Sequence, residues 1–241
     1  MKIIYKLTLL TIWMFLVSFN QKHEIRALAY QAYLSGSETY WKNTVKEAQS
    51  NYDQVASQDR LYQLALAQFG LLTATMSTEN EELFDEYVDE TLDLLEELED
   101  RGYQVAEAKS LRASIYGYKI AYFPVKGMYL GPKNTALIDE AMSMEPESPV
   151  VQKMYAQHQY FTPEMWGGDI KNAKQAFKKS IQLFEENGQT DNWMYLDNHA
   201  WLGIIHKKQE NEVEAREIWE RALNIEPDFK WVGESLIPSL Q

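Results

Sequence analysis

Apolar residues recur along this chain at three- and four-residue steps almost from end to end. The stretch 79–100 displays the pattern best. Leu83, Phe84, Tyr87, Val88, Leu92, Leu95 and Leu98 fall on one stripe, and the stretch carries twelve acids and no base. Such a stripe marks a helix that buries one face and hydrates the other. The same period, read with its start and stop residues, predicts helices near 23–34, 38–55, 58–76, 79–100, 103–123, 132–145, 148–161, 169–186, 191–209 and 211–225. No segment alternates apolar and polar residues between hairpin turns, so the pattern predicts no strand. Helices separated by short breaks predict antiparallel pairs. Ala65, Ala67 and Gly70 are small residues inside a helix, which suits close packing.

The last third adds a repeat signal. His199-x₂-Leu202-Gly203-x₂-His206 is followed by Ala215-x₃-Trp219, Ala222 and Pro227, all within residues 196–229. These spacings match W-x₂-L-G-x₂-Y, A-x₃-F and P in a period of about 34 residues. The segment resembles the tetratricopeptide repeat family. Small Gly203 and Ala215 fit where two helices touch, Leu202 and Trp219 fill the groove, and Pro227 ends the pair. Degenerate copies lie in 103–190: Ile138-x₂-Ala141 with Pro146, Ala156, and Ala173-x₃-Phe177-x₂-Ser180. For 23–100 the likeness is only by analogy of helix pairs. The resemblance implies an all-α fold, a right-handed solenoid of about five antiparallel helix pairs with a concave face.

Two turns between helices are enlarged, and they are sisters. One runs from Tyr122-Phe123-Pro124 to Gly131-Pro132; the other runs from Tyr160-Phe161-Thr162-Pro163 to Gly167-Gly168-Asp169. Each leaves a helix through an aromatic pair and a proline, and each enters the next through glycine. Pro132 is expected as a first helical residue, and Asp169 as the cap of helix 169–186. Equivalent turns of neighbouring repeats lie side by side on one edge. Tyr122, Met128, Tyr129, Tyr160, Met165 and Trp166 are therefore the candidate partner- or ligand-binding rim. Inward packing of the same side chains is the structural alternative. Pro163-x₃-Gly167-Gly168-Asp169 is similar to turns of bacterial periplasmic helical-repeat proteins, including repeat subunits associated with some substrate-binding transporters.

Composition narrows the function. The 241 residues carry 23 bases and 36 acids, a net charge of −13. A chain this acidic lacks the basic footprint that nucleic acid or anionic lipid requires. With 0 Cys it has no disulfide, thiolate nucleophile, Cys-ligated metal or lipid anchor on cysteine. Lys2 and Lys6 precede the apolar run Leu7–Phe19, which is too short to span a bilayer and reads as a signal peptide over residues 1–20. The remainder, 21–241, is then one exported repeat domain, periplasmic or associated with the cell envelope.

Catalytic motifs are missing: no G-x-S-x-G, H-E-x-x-H, Walker A or G-x-G-x-x-G occurs. An enzyme would need Glu164, Asp169 and His158 to converge. His199 and His206 are seven apart, beyond simple i,i+4 chelation, and read as flat rings filling a helix groove. The acidic stretch 79–100 lacks the D-x-D-x-D-G order of a calcium loop and reads as a solvated face. No cofactor or metal is expected. The sequence favours a non-catalytic scaffold or adaptor holding a protein or peptide partner on its concave face. The alternative is a small-ligand or lipid-binding accessory of an envelope transport system. A dry pocket lined by Tyr122, Tyr160 and Trp166 would favour the alternative; a shallow polar groove would favour the adaptor.

Overall fold

The computed structural model describes residues 24–240; the predicted leader, 1–20, lies outside the described residues. Ten α-helices follow one another: α1 (24–35), α2 (Glu38–Gln54), α3 (Gln58–Thr78), α4 (Glu81–Asp100), α5 (Val105–Tyr122), α6 (Gly127–Met144), α7 (Pro149–Phe161), α8 (Ile170–Glu186), α9 (Trp193–Lys208) and α10 (Glu212–Ile225). A π-helical stretch, Trp231–Leu236, and a 3₁₀ turn, Ile237–Ser239, close the chain. There is no strand among the described residues. Local chemistry sets the starts. Ser57, Asn80, Ser148, Asp169 and Asn192 each accept a backbone amide of the first helical turn, satisfying donors that have no partner within the helix.

From α2 on, each helix packs against its chain neighbours, and α3, α5, α7 and α9 also pack against one another. This makes two layers, odd-numbered helices inside and even-numbered helices outside. The sequence pattern follows the layers. α4 and α10 bury one stripe, whereas α9 buries twelve of its sixteen residues. Neighbouring odd helices run the same way. Tyr62 near the start of α3 bonds Glu107 near the start of α5, and Tyr122 at the end of α5 donates to the Thr75 carbonyl near the end of α3. The caps of α3, α5, α7 and α9 are Ser57, Gln104, Ser148 and Asn192, so these pairs advance by 47, 44 and 44 residues.

The α9–α10 pair meets as its sequence predicts. Leu202, Gly203, Ala215, Trp219 and Ala222 are all buried. A Cβ added to Gly203 would stand 2.2 Å from Trp219 Nε1, so only glycine admits the indole. Trp219 then donates to the Ala200 carbonyl at 3.1 Å. The same device joins α2 to α3, where a Cβ on Gly70 would stand 2.1 Å from the Trp41 ring.

The array closes on itself. Arg26 of α1 pairs with Asp191 at 3.0 Å, and Tyr33 donates to Asp197 of α9 at 2.8 Å. Tyr33 also packs against Trp193 and Phe229. α5 ends at Tyr122 and α7 at Phe161.

Candidate functional site

The two enlarged turns leave those C-terminal ends, and their backbones differ. After α5, a 3₁₀ turn Pro124–Lys126 leads directly into α6 at Gly127, so Pro132 lies inside the helix and is not its first residue. Pro132 supplies no amide to the carbonyl of Met128. Met128 is 87% exposed, so water can satisfy that carbonyl. Gly131 likewise is helical and enters nothing.

After α7, Thr162 and Pro163 lead into a 3₁₀ turn, Glu164–Trp166. Gly167 follows at φ +96, a conformation L side chains rarely adopt. A Cβ on Gly168 would stand 1.7 Å from the Thr162 carbonyl oxygen. Asp169 Oδ1 accepts the amides of Lys171 and Asn172 at 2.7 and 3.1 Å. Pro163, Gly167, Gly168 and Asp169, the fixed positions of the P-x-x-x-G-G-D motif, thus shape the backbone of the turn.

The side chains of the predicted rim divide into two sets. Tyr129, Met165 and Trp166 are exposed, as are Met128, Val125 and Phe161. Tyr122 and Tyr160 are half-buried and belong to separate ring groups. Tyr122 packs against Phe84 of α4 and Phe123. Tyr160 packs against Phe161 at 4.9 Å and Trp201 of α9 at 5.5 Å between ring centroids. Neither ring group includes Trp166, so no single dry pocket is lined by Tyr122, Tyr160 and Trp166.

The Tyr160 group extends inward. Phe161 meets Trp201 at 5.1 Å, Trp201 meets Trp231 at 6.0 Å, and Trp231 meets buried Phe229 at 6.3 Å. Phe229 continues to Tyr33, which reaches Trp193 and the ion pair of Lys153 with Asp197. Tyr160, Phe161, Trp201 and Trp231 therefore make a continuous aromatic surface, open to solvent at Phe161 and Trp231 and founded on the buried core. One turn beyond Lys153 on α7, Gln157 is buried, and its Oε1 meets no hydrogen-bond donor.

The sequence matches no described protein family and no curated protein. Among solved structures, the chain is similar to the HusA haemophore from Porphyromonas gingivalis. The TM-score is 0.60 at 17% identity, over 77% of this chain and 93% of that one. At that identity the likeness establishes the all-helical fold alone.

Charge around the aromatic surface is uneven. Lys208 Nζ stands 5.1 Å from the Tyr160 ring centroid. Burial raises the Tyr160 phenol above its usual range, so it stays neutral and donor-competent. The three candidate catalytic groups do not form a unit. Asp169 is committed to its cap, Glu164 is exposed, and His158 sits 3.5 Å from Thr162 Oγ1. His199 and His206 are buried, and burial lowers both below the usual histidine value. Among the described residues no three His, Cys, Asp or Glu side chains are grouped to hold a metal. The acids of α4 partly serve α5: Arg112 binds Glu96 and Glu99, Lys109 binds Glu99, and Lys119 binds Asp89.

Sequence reasoning missed Phe161, Trp201, Trp231 and Lys208 as a group. Phe161 was read as one half of a turn signature. Trp201 lies between consensus positions of the repeat, and an aromatic residue there, free of a consensus packing role, was the available signal.

Proposed function

We propose that this protein is an exported, non-catalytic binding protein of the cell envelope, with tetratricopeptide-like helix pairs, that holds a flat apolar molecule against Tyr160, Phe161, Trp201 and Trp231. One observation carries the reading. Tyr160, Phe161, Trp201 and Trp231 form a contiguous aromatic cluster in which Phe161 and Trp231 are exposed and Tyr160 and Trp201 are half-buried. Aromatic surfaces give a planar ligand large contact area at little entropic cost, because they are already ordered. Flanking Lys2 and Lys6 and the apolar run between them and Asn20 support export. Among the described residues no helix is long and apolar enough to cross a membrane. A protein of the same fold is described as a haemophore, which makes a porphyrin the first probe to use.

The experiment is a titration of the folded protein with haemin and with metal-free protoporphyrin, read by quenching of tryptophan fluorescence and by the Soret shift. Saturable binding of both is expected, because the rings and not the iron supply the contact. Phe161→Ala should weaken binding by about ten-fold or more, as truncation of an aromatic anchor does. Absence of quenching and Soret shift at excess protein would overturn the reading.

A protein partner is the second reading, and its support lies elsewhere. The exposed tips Met128-Tyr129 and Met165-Trp166 have the composition of contact residues. Such a partner would dock on these exposed tips. Trp166→Ala should weaken capture of that partner while leaving porphyrin binding unchanged.

A further inference from the structure

The geometry points to a ligand that carries a carboxylate beside its apolar ring, with Lys208 as the residue that holds the anion; this rests on the aromatic surface proposed above. In a chain with 36 acids against 23 bases, residues 170–179 and 198–209 contain no acid at all. The two segments lie together, since Lys174 Nζ of α8 donates to Gln209 Oε1 just past α9 at 3.1 Å. They carry Lys171, Lys174, Lys178, Lys207 and Lys208. None of these five ammonium groups has a carboxylate within ion-pair distance among the described residues, whereas Lys109, Arg112, Lys119 and Lys179 each do. Asp169, which caps α8, accepts two backbone amides on Oδ1. Burial first, and then the charges of Lys174 and Lys178, lower His206, which places those two lysines close to α9.

Lys208 is the member of this patch that meets the rings. Its ammonium stands over Tyr160, is exposed, and has no anionic partner of its own. A flat molecule laid on Phe161 and Trp201 would present an edge carboxylate to Lys208. A charge-assisted hydrogen bond there would orient the ligand, and the rings would supply the contact area. The positive patch would also discriminate against neutral planar molecules of the same size.

The test compares metal-free protoporphyrin, which has two carboxylates, with its dimethyl ester, which has none. Wild type, Lys208→Glu and the remote control Lys46→Glu on α2 are titrated at low and high salt. Lys208 and Lys46 are both exposed, so all three proteins are expected to fold alike, as circular dichroism would verify. The diacid should bind about ten-fold or more tightly than the diester. Lys208→Glu should abolish that preference and Lys46→Glu should keep it. Equal affinity of wild type for acid and ester would overturn the inference and leave the aromatic reading standing. A preference that persists in Lys208→Glu would overturn the role of Lys208. Binding of neither probe would overturn the aromatic reading itself.

Discussion

Lys153 and Asp197 form an ion pair between the inner helices α7 and α9, and Tyr33 of α1 donates to the second oxygen of the same carboxylate. Both charged side chains are almost fully buried, at 1% and 4% exposure. The Tyr33 phenol is held well above its usual range, first by burial and then by the Asp197 charge, so it remains a donor throughout the physiological range. A single carboxylate thereby ties the first helix to the seventh and ninth.

Breaking that pair from one side should be costly. Lys153→Met leaves Asp197 buried with one neutral donor, and should destabilise by about 3–5 kcal/mol. The double variant Lys153→Met, Asp197→Leu should recover most of that loss, because no unpaired charge remains. Urea denaturation of the single and double variants measures both. A single variant as stable as wild type would mean that the pair is hydrated.

Gly203→Ala tests the α9–α10 contact. The new methyl would meet the Trp219 indole, whose donation to Ala200 fixes its place. Overpacking of this kind costs about 1–3 kcal/mol. Gly70→Ala should behave alike against Trp41. Thermal unfolding without a fall in Tm would contradict the close approach.

Asp169→Ala should cost about 1 kcal/mol, the usual loss for an N-cap, with no change in porphyrin binding. Gly167→Ala should cost more than it would in a helix, since its φ is strained for any Cβ. Chemical denaturation together with the fluorescence titration separates the backbone role of this motif from a role in binding.

Stability should fall in mild acid. Burial lowers His158 and His199 below 6.5, so the unfolded chain takes up protons that the folded one refuses. Their contribution is fully present above 6.5 and is lost as the pH falls from there. Each neutral histidine adds a slope of up to about 1.4 kcal/mol per pH unit. His199→Phe, which keeps a ring against Tyr195 at the same site, should flatten the slope between pH 7.5 and 5.5. Urea midpoints across that range measure it; an unchanged slope would mean that His199 is protonated in the fold.

The helices were legible in the sequence because apolar residues recur at the helical period, most plainly in the stripes of α4 and α10, and because capping residues mark the starts of α3, α4, α7, α8 and α9. The α6 start was misplaced by five residues because Gly131 and Pro132 look like breakers. Nothing local announces that an exposed carbonyl at Met128 can do without its donor. The Gly203–Trp219 contact was readable because the repeat pattern records it. Met165 and Trp166 were readable as turn residues, whereas Tyr129, expected in a turn, lies in the first turn of α6. The grouping of Tyr160 with Trp201 and Trp231 was not readable, since it depends on how far neighbouring pairs are offset. Here that offset is about 44 residues, against the period of about 34 that the last pair suggested.

The contact of Tyr33 with Asp197 spans 164 residues. In an open stack, units can be added, removed or completed one after another, because each answers only to its neighbours. A closed one has no such freedom. The first helix cannot find its final partner until α9 has been synthesised, so the chain must hold Tyr33 in reserve while most of its length is made. Closure is then a late event, and deleting an internal pair should cost the Tyr33–Asp197 contact as well as the pair itself.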